Sequence, residues 1–442
     1  MKLRTDSSGW FAIGDTFSND YFEISEANID EILQRYLQDD IWAEGVNKAV
    51  ERYDKNPWRG TAQWFSDMIS LMNSSGTLVD YPFGTGITFQ SRRHFFRGEP
   101  EKYWISDAGL CRACRKRKLT GKSAELYKAV ADMRVCQFKK FIWRFHIVPY
   151  WEAKISDVNY KALAQHYGFE TALLDLTNDF RVALFFATCK YIWEKDTFEP
   201  LTREDFEREP DEYGDPRYGV IFHSPNWMLD FLNGGVATIG MGQRFSQNSK
   251  KNYYSIDGGV LDGVAFQIGY QPFYRCQYQS GFAFPMRNEK PLQENTRFEK
   301  LVFKHSEELS SRVFEMMKGG ELVFPNEGIS KALPVLRDIQ KSVLFSEDDA
   351  LQAYEIDEAS REHFPTFDDF LRDLRTLIID GQQIQIQKEE VTYKLRRPEM
   401  RRINKLYDQK NLGKMIGRVH YTAPQRRRRE ERCRQIYGRL ID

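Results

Sequence analysis

The stretch QHYGFETALLDLTNDFRVALFFAT, at 165–188, restricts the fold of this chain more than any other part of the sequence. ALLDLT has the length and apolar content of a buried strand. Asn178 and Asp179 then offer side chains that can cap a helix, and apolar residues recur after them at helical spacing. The stretch therefore predicts a buried strand followed at once by a helix, with Asp175 and Thr177 where the chain changes direction.

Similar patterns alternate through the middle of the chain. YGVIFHS, EKLVFKH and ELVFP have the apolar character of strands. Ser306 is a candidate cap for a helix that runs to about Lys318, and ISKALPVLRDIQ has a helical pattern. Strands interleaved with helices indicate an α/β or α+β body.

Composition divides the chain into three regions. Residues 1–80 have amphipathic helical patterns, and residues 81–340 hold the interleaved strands and helices. Residues 341–442 are again helical in pattern, and their last part is strongly basic. Between 394 and 442 there are 16 Lys or Arg against 5 Asp or Glu, although the whole chain has 64 of each class. We therefore predict a helical N-terminal region, a central domain and a helical, basic C-terminal extension.

The sequence shows no targeting or membrane signal. MKLRTDSSG lacks the apolar segment of a secretory signal, and no run approaches the roughly 18 apolar residues of a membrane helix. Six cysteines in 442 residues form no regular framework. Cys111 and Cys114 have zinc-ligand spacing, but no second pair follows, so we predict no metal site. We expect a cytoplasmic protein with reduced thiols and no membrane partner.

Three motifs occur in order: FFRGEP at 95–100, the 165–187 stretch, and RCQYQSGFAF at 275–284. This order resembles the FRG domain family, named for the Phe/Tyr-Arg-Gly of its first motif. Leu176 stands where the family usually has Trp, and the resemblance covers roughly 85–340. The matching positions in the second and third motifs are Gln165, His166, Tyr167, Gly168, Thr171, Leu173, Leu174, Asp175, Thr177, Ala183, Phe186, Ala187, Arg275, Gln279 and Gly281.

The motif order is also similar to that of ADP-ribosyltransferases. Those enzymes often open with an Arg-Gly strand, continue with a strand ending in hydroxyl residues and a helix carrying Ala and Phe, and close with a strand supplying Glu. Arg97 and Gly98 resemble the first element, and Thr177 resembles the second. The resemblance implies an α+β fold with an ADP-ribosyltransferase-like mixed-sheet core, NAD as substrate, and a role as a toxin or in phage defence.

Specific residues follow from this resemblance. Arg97 can grip two pyrophosphate oxygens at once, Gly98 lets the backbone approach a ligand, and the Thr177 hydroxyl can hold the nicotinamide ribose. A structural interpretation stands beside this one, in which Arg97 pairs with Asp175 inside the fold. The residues predicted to bind the cofactor are Arg97, Gly98, His166, Tyr167 and Asn178, although His166 and Tyr167 also suit core packing.

Catalysis depends on which residue faces the ribose. Gln279 stands where transferases have Glu, so it can accept a ribose hydroxyl but brings no negative charge. Glu299 and Glu99 are alternative carboxylates, because breaking the glycosidic bond builds positive charge on the ribose. The predicted catalytic set is Arg97, Thr177, Gln279 and Glu299. Three functions remain open: transfer of ADP-ribose to nucleic acid or protein, a non-catalytic nucleotide or nucleic-acid binding module, and NAD hydrolysis.

Two dense runs of basic residues are candidate surfaces for RNA or DNA. They are Arg112–Lys118 and Arg426–Arg429. The alternative is that the first is a solvated face, and that the second is neutralised by the acidic loop at 204–215 or by a protein partner.

Overall fold

The computed structural model describes residues 24–30, 77–81, 84–88, 94–225, 263–286, 290–295, 297–325, 327–356, 362–407 and 421–438. Its strands are β1 (Thr77–Tyr81), β2 (Gly84–Thr88), β3 (His94–Glu99), β4 (Lys102–Tyr103), β5 (Leu173–Thr177), β6 (Cys189–Ile192), β7 (Thr197–Pro200), β8 (Gly214–Asp215), β9 (Tyr218–Pro225), β10 (Phe266–Gln267), β11 (Gly281–Pro285), β12 (Glu299–Lys304), β13 (Leu344–Ser346), β14 (Ile378–Ile379), β15 (Gln382–Gln383) and β16 (Gln385–Gln387).

The helices in the same ranges are α1 (Gly109–Lys116), α2 (Gly121–Ile142), α3 (Ile147–Lys154), α4 (Tyr160–Gln165), α5 (Phe180–Thr188), α6 (Arg203–Phe206), α7 (Arg275–Tyr278), α8 (Glu307–Met316), α9 (Leu333–Gln340), α10 (Glu347–Ile356), α11 (Phe367–Leu374), α12 (Arg397–Leu406) and α13 (Ala423–Tyr437). A 3-10 helix lies at Gly328–Ala332. None of these described helices combines the length and apolar character needed to cross a membrane.

The main sheet has six strands in the order β10-β11-β5-β3-β9-β12, each antiparallel to its neighbours. The register of neighbouring strands aligns one residue from each of five strands in a single row across the sheet. Residues paired in this way have side chains on the same face of the sheet. The row consists of Glu299, His223, Phe96, Thr177 and Gly281. This sheet with its surrounding helices confirms the predicted α+β class, but it is wholly antiparallel and not the mixed sheet that was expected.

The predicted strand-to-helix unit is present. Leu173–Thr177 forms β5, in which every side chain except Asp175 is buried. Asp179, one of the two candidate caps, begins α5 by accepting a hydrogen bond from the main-chain N–H of Arg181 at 2.9 Å. The helix then packs on β3 and β9 through its apolar face, with α8 outside it.

A second group of helices covers the β5, β11 and β10 end of the same sheet face. Its core joins the C-terminal half of α2 with α3, α4 and α9, around Trp151, Phe145 and Phe273. The opposite face is covered mainly by loops and α1, where Phe95, Phe222 and Phe282 pack together. One face of the sheet is therefore covered by helices, and the other, which we call the loop-covered face, is covered mainly by loops. Charged side chains have more room on the loop-covered face.

The predicted C-terminal extension packs directly against α2. Gln137 donates to the Leu344 carbonyl at 2.8 Å and Arg134 donates to the Ser342 carbonyl at 3.1 Å. Lys140 pairs with the fully buried Asp349 at 2.8 Å. Apolar residues of α1, α2, α10 and α11 form one core. Because α2 faces the sheet on one side and this extension on the other, it is buried around most of its circumference.

The basic tail docks on the body instead of standing free. Helix α13 packs on α3, and Arg429 is buried, donating to the Glu152 carbonyl and to Asp157 Oδ1, both at 2.6 Å. Arg432 reaches Glu152 Oε2 at 3.0 Å. Arg429 is therefore bound to the body, and nucleic-acid binding by the run Arg426–Arg429 stays a prediction. The acids that neutralise Arg429 and Arg432 lie in and beside α3, and not in the loop at 204–215.

We expect Arg429→Ala to lower the free energy of unfolding by about 2 kcal/mol, because two charge-assisted hydrogen bonds are lost and Asp157 keeps partial access to water. Arg427→Ala is the matched control, since Arg427 is exposed on the same helix. Urea titration of both variants measures the difference. Equal midpoints for the two variants would show that α13 does not dock through Arg429.

Two further expectations differ from the structure. ELVFP was expected to form a strand, but residues 321–325 form turns that follow two glycines with positive φ, Gly319 and Gly320. Only 24–30 and 77–80 of the predicted helical N-terminal region are described. The helical pattern at 61–72 and the glycine-rich loop around 240 lie outside the described residues.

Candidate functional site

Five polar side chains from three elements meet at one end of β5. They come from the end of α4, from β5 itself, and from the turn between α7 and β11, and we call them the polar cluster: Gln165, His166, Asp175, Thr177 and Gln279. All five are matched motif positions in the sequence. The structure therefore brings together residues that are up to 114 positions apart.

Asp175 is the exposed member of the polar cluster. Its side chain is 41% accessible, whereas its neighbours on β5 are buried. Gln165 Nε2 donates to Asp175 Oδ1 at 2.5 Å, and the Thr171 hydroxyl in turn donates to Gln165 Oε1. The carboxylate is thus held in a fixed orientation from behind while it faces solvent.

His166 lies beneath this carboxylate. Its side chain is 1% exposed and its Nε2 is 3.8 Å from Asp175 Oδ1, which is too long for a hydrogen bond. Burial lowers the pKa of His166, although the Asp175 charge and the neighbouring Gln279 side chain act in the opposite direction. Burial is thus the larger influence, and it disfavours the charged imidazolium.

Glycine at 281 makes room for this imidazole. A Cβ at Gly281 would lie 3.4 Å from His166 Nε2 and 3.1 Å from the Cys276 carbonyl. The Thr177 hydroxyl donates to the main-chain carbonyl of Gln279 at 2.8 Å, which fastens the turn before β11 to the end of β5. Thr177 therefore positions the third motif.

Arg97 leaves β3 on the opposite face from Thr177, because its neighbour Phe96 is the residue paired with Thr177. That pair is the only pairing between β3 and β5, both fully described. Arg97 Nη1 reaches the gap between the strands and donates to the Asp175 main-chain carbonyl at 3.0 Å, and its Nε pairs with Glu99 at 2.8 Å. The suggested ion pair with the Asp175 carboxylate is not formed.

Four cations gather around Glu99 on the loop-covered face, and we call them the basic cluster: Arg97, Lys102, Arg112 and Lys300. Arg112 is accessible to solvent, yet partial desolvation and then the charge of Arg97 lower its pKa. Desolvation and the charge of Lys102 likewise lower the pKa of Lys300. These like charges repel one another, and the charge of the Glu99 carboxylate, which raises both pKa values, offsets part of that repulsion.

The other basic residues of Arg112–Lys118 are partly neutralised. Arg115 binds Asp107 through two nitrogens, at 2.6 and 3.1 Å, and Arg117 pairs with Asp380 at 2.9 Å. Lys116 and Lys118 are exposed. Nucleic-acid binding by this run stays a prediction.

Tyr167 does not offer a free aromatic face, which corrects its assignment to cofactor binding. The Arg275 guanidinium lies 4.5 Å from the centre of its ring, and Phe138 and Phe273 pack around it. Its hydroxyl donates to the buried Glu327 carboxylate. Tyr167 is therefore a core residue.

Gly98 has a packing role. A Cβ at this position would lie 1.7 Å from the Ala183 carbonyl oxygen and 2.9 Å from the Ala187 main-chain nitrogen. Gly98 thus permits the close approach of α5 to β3. Binding of a ligand by the Gly98 backbone stays a prediction, as it does for Asn178, which is buried just after β5.

Glu299 does not join the polar cluster. It begins β12, which is separated from β5 by β9 and β3, so three strand spacings, about 14 Å, lie between its backbone and that of Thr177. Glu99, the other alternative carboxylate, is buried and accepts from Arg97 and from the Ser106 hydroxyl. Of Asp175, Glu99 and Glu299, only Asp175 has its carboxylate in the polar cluster.

The sequence did not indicate that Gln165 lies in the polar cluster or that Lys102 and Lys300 lie in the basic cluster, and Asp175 was interpreted as structural. The signal for Asp175 was present, since it is the one polar residue inside the apolar run LLDL. No local pattern indicates Lys300, because it reaches Glu99 only through the order of the strands. The described residues contain no group of three metal-ligating side chains.

Residues 92–196 match the family model of the FRG domain. The chain contains an FRG domain. The matched segment holds the first two motifs of the FRG domain, including Arg97 and four residues of the polar cluster. The third motif lies beyond it. Comparison with curated proteins and with solved structures finds no match to this chain.

Proposed function

We propose that the FRG domain binds NAD through its diphosphate at the basic cluster and transfers ADP-ribose to a nucleic acid or protein. The observation that carries this proposal is the gathering of four cations around Glu99, where Arg97 pairs with that carboxylate at 2.8 Å and the like charges of Arg97 and Arg112 repel one another. A diphosphate relieves that repulsion, and the planar guanidinium forks suit its oxygens. Arg97 is 18% exposed, so its guanidinium retains access from solvent.

The arrangement of the strands supports the same reaction. The Arg-Gly strand and the strand that ends in Thr177 are neighbours, and Phe96 pairs with Thr177. Helix α5 follows with Ala183 and Ala187 against Gly98. The elements that carry the motifs resembling those of ADP-ribosyltransferases are therefore neighbours in the fold. The ADP-ribosyltransferase-like core is thus part of the proposal.

The reaction is a substitution at C1′ of the nicotinamide ribose. The C1′–N bond breaks and its electron pair goes to the nicotinamide nitrogen, which becomes neutral. The acceptor atom forms the new bond to C1′ and gives its proton to water. The protein's contribution is to hold the diphosphate and to stabilise the positive charge that develops on the ribose. Water as acceptor would give NAD hydrolysis by the same bond cleavage.

One observation favours the non-catalytic alternative. Gln279 has an amide where transferases have a carboxylate, and it is buried in the turn before β11. A domain with this change can still bind a nucleotide at the basic cluster.

Labelled NAD is incubated with the full chain and, separately, with RNA, DNA and protein acceptors. We expect label to enter one acceptor. Release of nicotinamide without incorporation of label supports NAD hydrolysis. Binding of NAD with neither release nor incorporation supports the non-catalytic binding module.

Arg97→Lys should weaken NAD binding at least tenfold in calorimetry at an unchanged melting temperature, because Lys lacks the bidentate fork. Arg372→Lys, at an exposed position of α11, is the control. A wild-type protein that does not bind NAD would exclude the proposal.

A further inference from the structure

The turn between α2 and α3 exposes an aromatic side chain beside a cation. Trp143 is 39% exposed, and its indole N–H donates to Glu152 Oε2 at 3.1 Å, which holds the ring in place. Arg144, the next residue, is also exposed. In the part of the chain that the structure describes, no ring or cation stacks on Trp143. A Trp held at the surface in this way has its ring available to a partner, and Trp is enriched at binding interfaces.

Helix α12 adds two further cations at the same place. Asn404 accepts a hydrogen bond from the main-chain N–H of His146 at 3.0 Å, which fixes one side of α12 against the turn. Arg397 and Arg401 precede Asn404 by seven and three residues, so they lie on this side of the helix, and both are exposed. We call four exposed side chains the turn surface: Trp143, Arg144, Arg397 and Arg401.

The positive charge of the turn surface is not neutralised by neighbouring acids. Within the described ranges, no ion pair involves any of its three arginines. Glu399, the acid of α12, pairs with Arg396 instead. The Glu152 side chain is only 6% exposed and pairs with Arg432 at 3.0 Å. Three cations without a paired acid give this surface a positive potential, which attracts a polyanion.

The combination of arginines with an exposed indole restricts what that polyanion is. Guanidinium groups bind phosphates through two parallel hydrogen bonds, and an indole stacks on an unpaired base of any sequence. Arg397 and Arg401 are separated by about 6 Å along the helix axis, so they can contact phosphates that are neighbours in one strand. An acidic peptide would use the arginines and leave Trp143 without a partner. A duplex keeps its bases stacked inside and would do the same.

We infer that the turn surface binds single-stranded nucleic acid, with a base on Trp143 and phosphates on the three arginines. Recognition of this kind has little sequence preference. The surface is separate from the runs Arg112–Lys118 and Arg426–Arg429, because its cations come from the α2–α3 turn and from α12. Binding of the strand is independent of NAD. That the bound strand is the acceptor of ADP-ribose rests on the proposed function.

The first test isolates the aromatic ring. The full chain, Trp143→Phe and Trp143→Leu are titrated into fluorescently labelled single-stranded RNA, single-stranded DNA and a duplex, with anisotropy as the readout. Both variants lose the hydrogen bond to Glu152, so the difference between them reports stacking alone. We expect Trp143→Leu to bind both single strands about tenfold more weakly than Trp143→Phe does, and the two variants to bind the duplex equally.

The second test isolates the arginines. A double variant, Arg397→Gln with Arg401→Gln, is titrated with the single strands at several salt concentrations. The slope of log K against log salt concentration should become shallower by about 1.4, which is about 0.7 for each lost phosphate contact. The control removes two exposed arginines in and beside α11, with Arg372→Gln and Arg375→Gln, and should keep the wild-type slope.

Four results would overturn this inference. They are equal binding of single strands by Trp143→Leu and Trp143→Phe, an unchanged slope in the Arg397 and Arg401 double variant, wild-type binding of polyglutamate as tight as that of the strands, and no binding of either strand at about 50 mM salt. If Trp143→Leu unfolds, the double variant decides, because it changes exposed side chains only. None of these titrations contains NAD, so each of these results leaves the proposed function standing.

Discussion

Gly98→Ala should destabilise the protein by about 3 kcal/mol or more, which is the upper end of the usual cost of overpacking. The added Cβ would lie 1.7 Å from the Ala183 carbonyl oxygen, so β3 and α5 must separate. The atoms in the way belong to the main chain of the helix, and therefore Ala183→Gly should not restore stability. Guanidinium titration with tryptophan fluorescence measures the loss, provided that the variant is soluble.

Gly109→Ala is the control for this substitution. A Cβ at Gly109 would meet only the tip of Arg112, at 3.9 Å, and alanine is a better helix former than glycine. We expect the control to unfold at the wild-type midpoint or slightly above it. A Gly98→Ala protein as stable as the control would mean that α5 does not lie on β3 as described.

Arg275→Met should cost about 3–5 kcal/mol, the usual range when one partner of a buried ion pair is removed. Arg275 is buried between Tyr167 and Phe324, whose ring centres lie 4.5 and 3.8 Å from the guanidinium carbon. It pairs with Asp196 and lies 4.0 Å from the Glu327 carboxylate. Burial raises the pKa of Glu327, and the Arg275 charge is among the factors that oppose this rise. Without Arg275, both acids lose their cation.

Adding Glu327→Gln to Arg275→Met should recover part of the lost stability, because one uncompensated acid is then neutral. The control is Arg372→Met, since Arg372 is 66% exposed and its ion pairs contribute little. Thermal and urea unfolding of the wild type, Arg275→Met, Glu327→Gln and the double variant give the coupling free energy between Arg275 and Glu327. Additive losses would show that Arg275 and Glu327 do not interact in the folded protein.

Local patterns predicted the strand at 173–177 and the helix after it, because burial and capping act over neighbouring residues. Asp179 is one of the two caps expected there, and Ser306 and Thr366 also begin helices. The run ELVFP has a strand-like composition, but it pairs with none of the strands in the described ranges and forms turns instead, so tertiary context overrides its local preference. Arg429 belongs to a run that resembles a solvated basic face, and only the position of Asp157 shows it to be buried.

The residues of the candidate site were predicted in part, because they too belong to short local motifs. Motif matching selected the members of the polar cluster, since each is a short-range feature of a recognised segment. It did not separate ligand contacts from core contacts, and so it grouped Tyr167 with His166 although the two adjacent side chains have different surroundings. Nor did it show that Arg97 and Thr177 leave opposite faces of the sheet, which depends on the register of β3 with β5.

The packing of α2 between the sheet and the C-terminal extension has a consequence for synthesis. Gln137 bonds with Leu344, 207 residues later in the chain. At about 5–20 residues per second, a ribosome makes that length in roughly 10–40 s. During this interval one side of α2 lacks its cover, so the nascent chain exposes apolar surface that chaperones recognise. A messenger truncated before codon 344 would therefore yield an aggregating product, although every FRG motif had been translated.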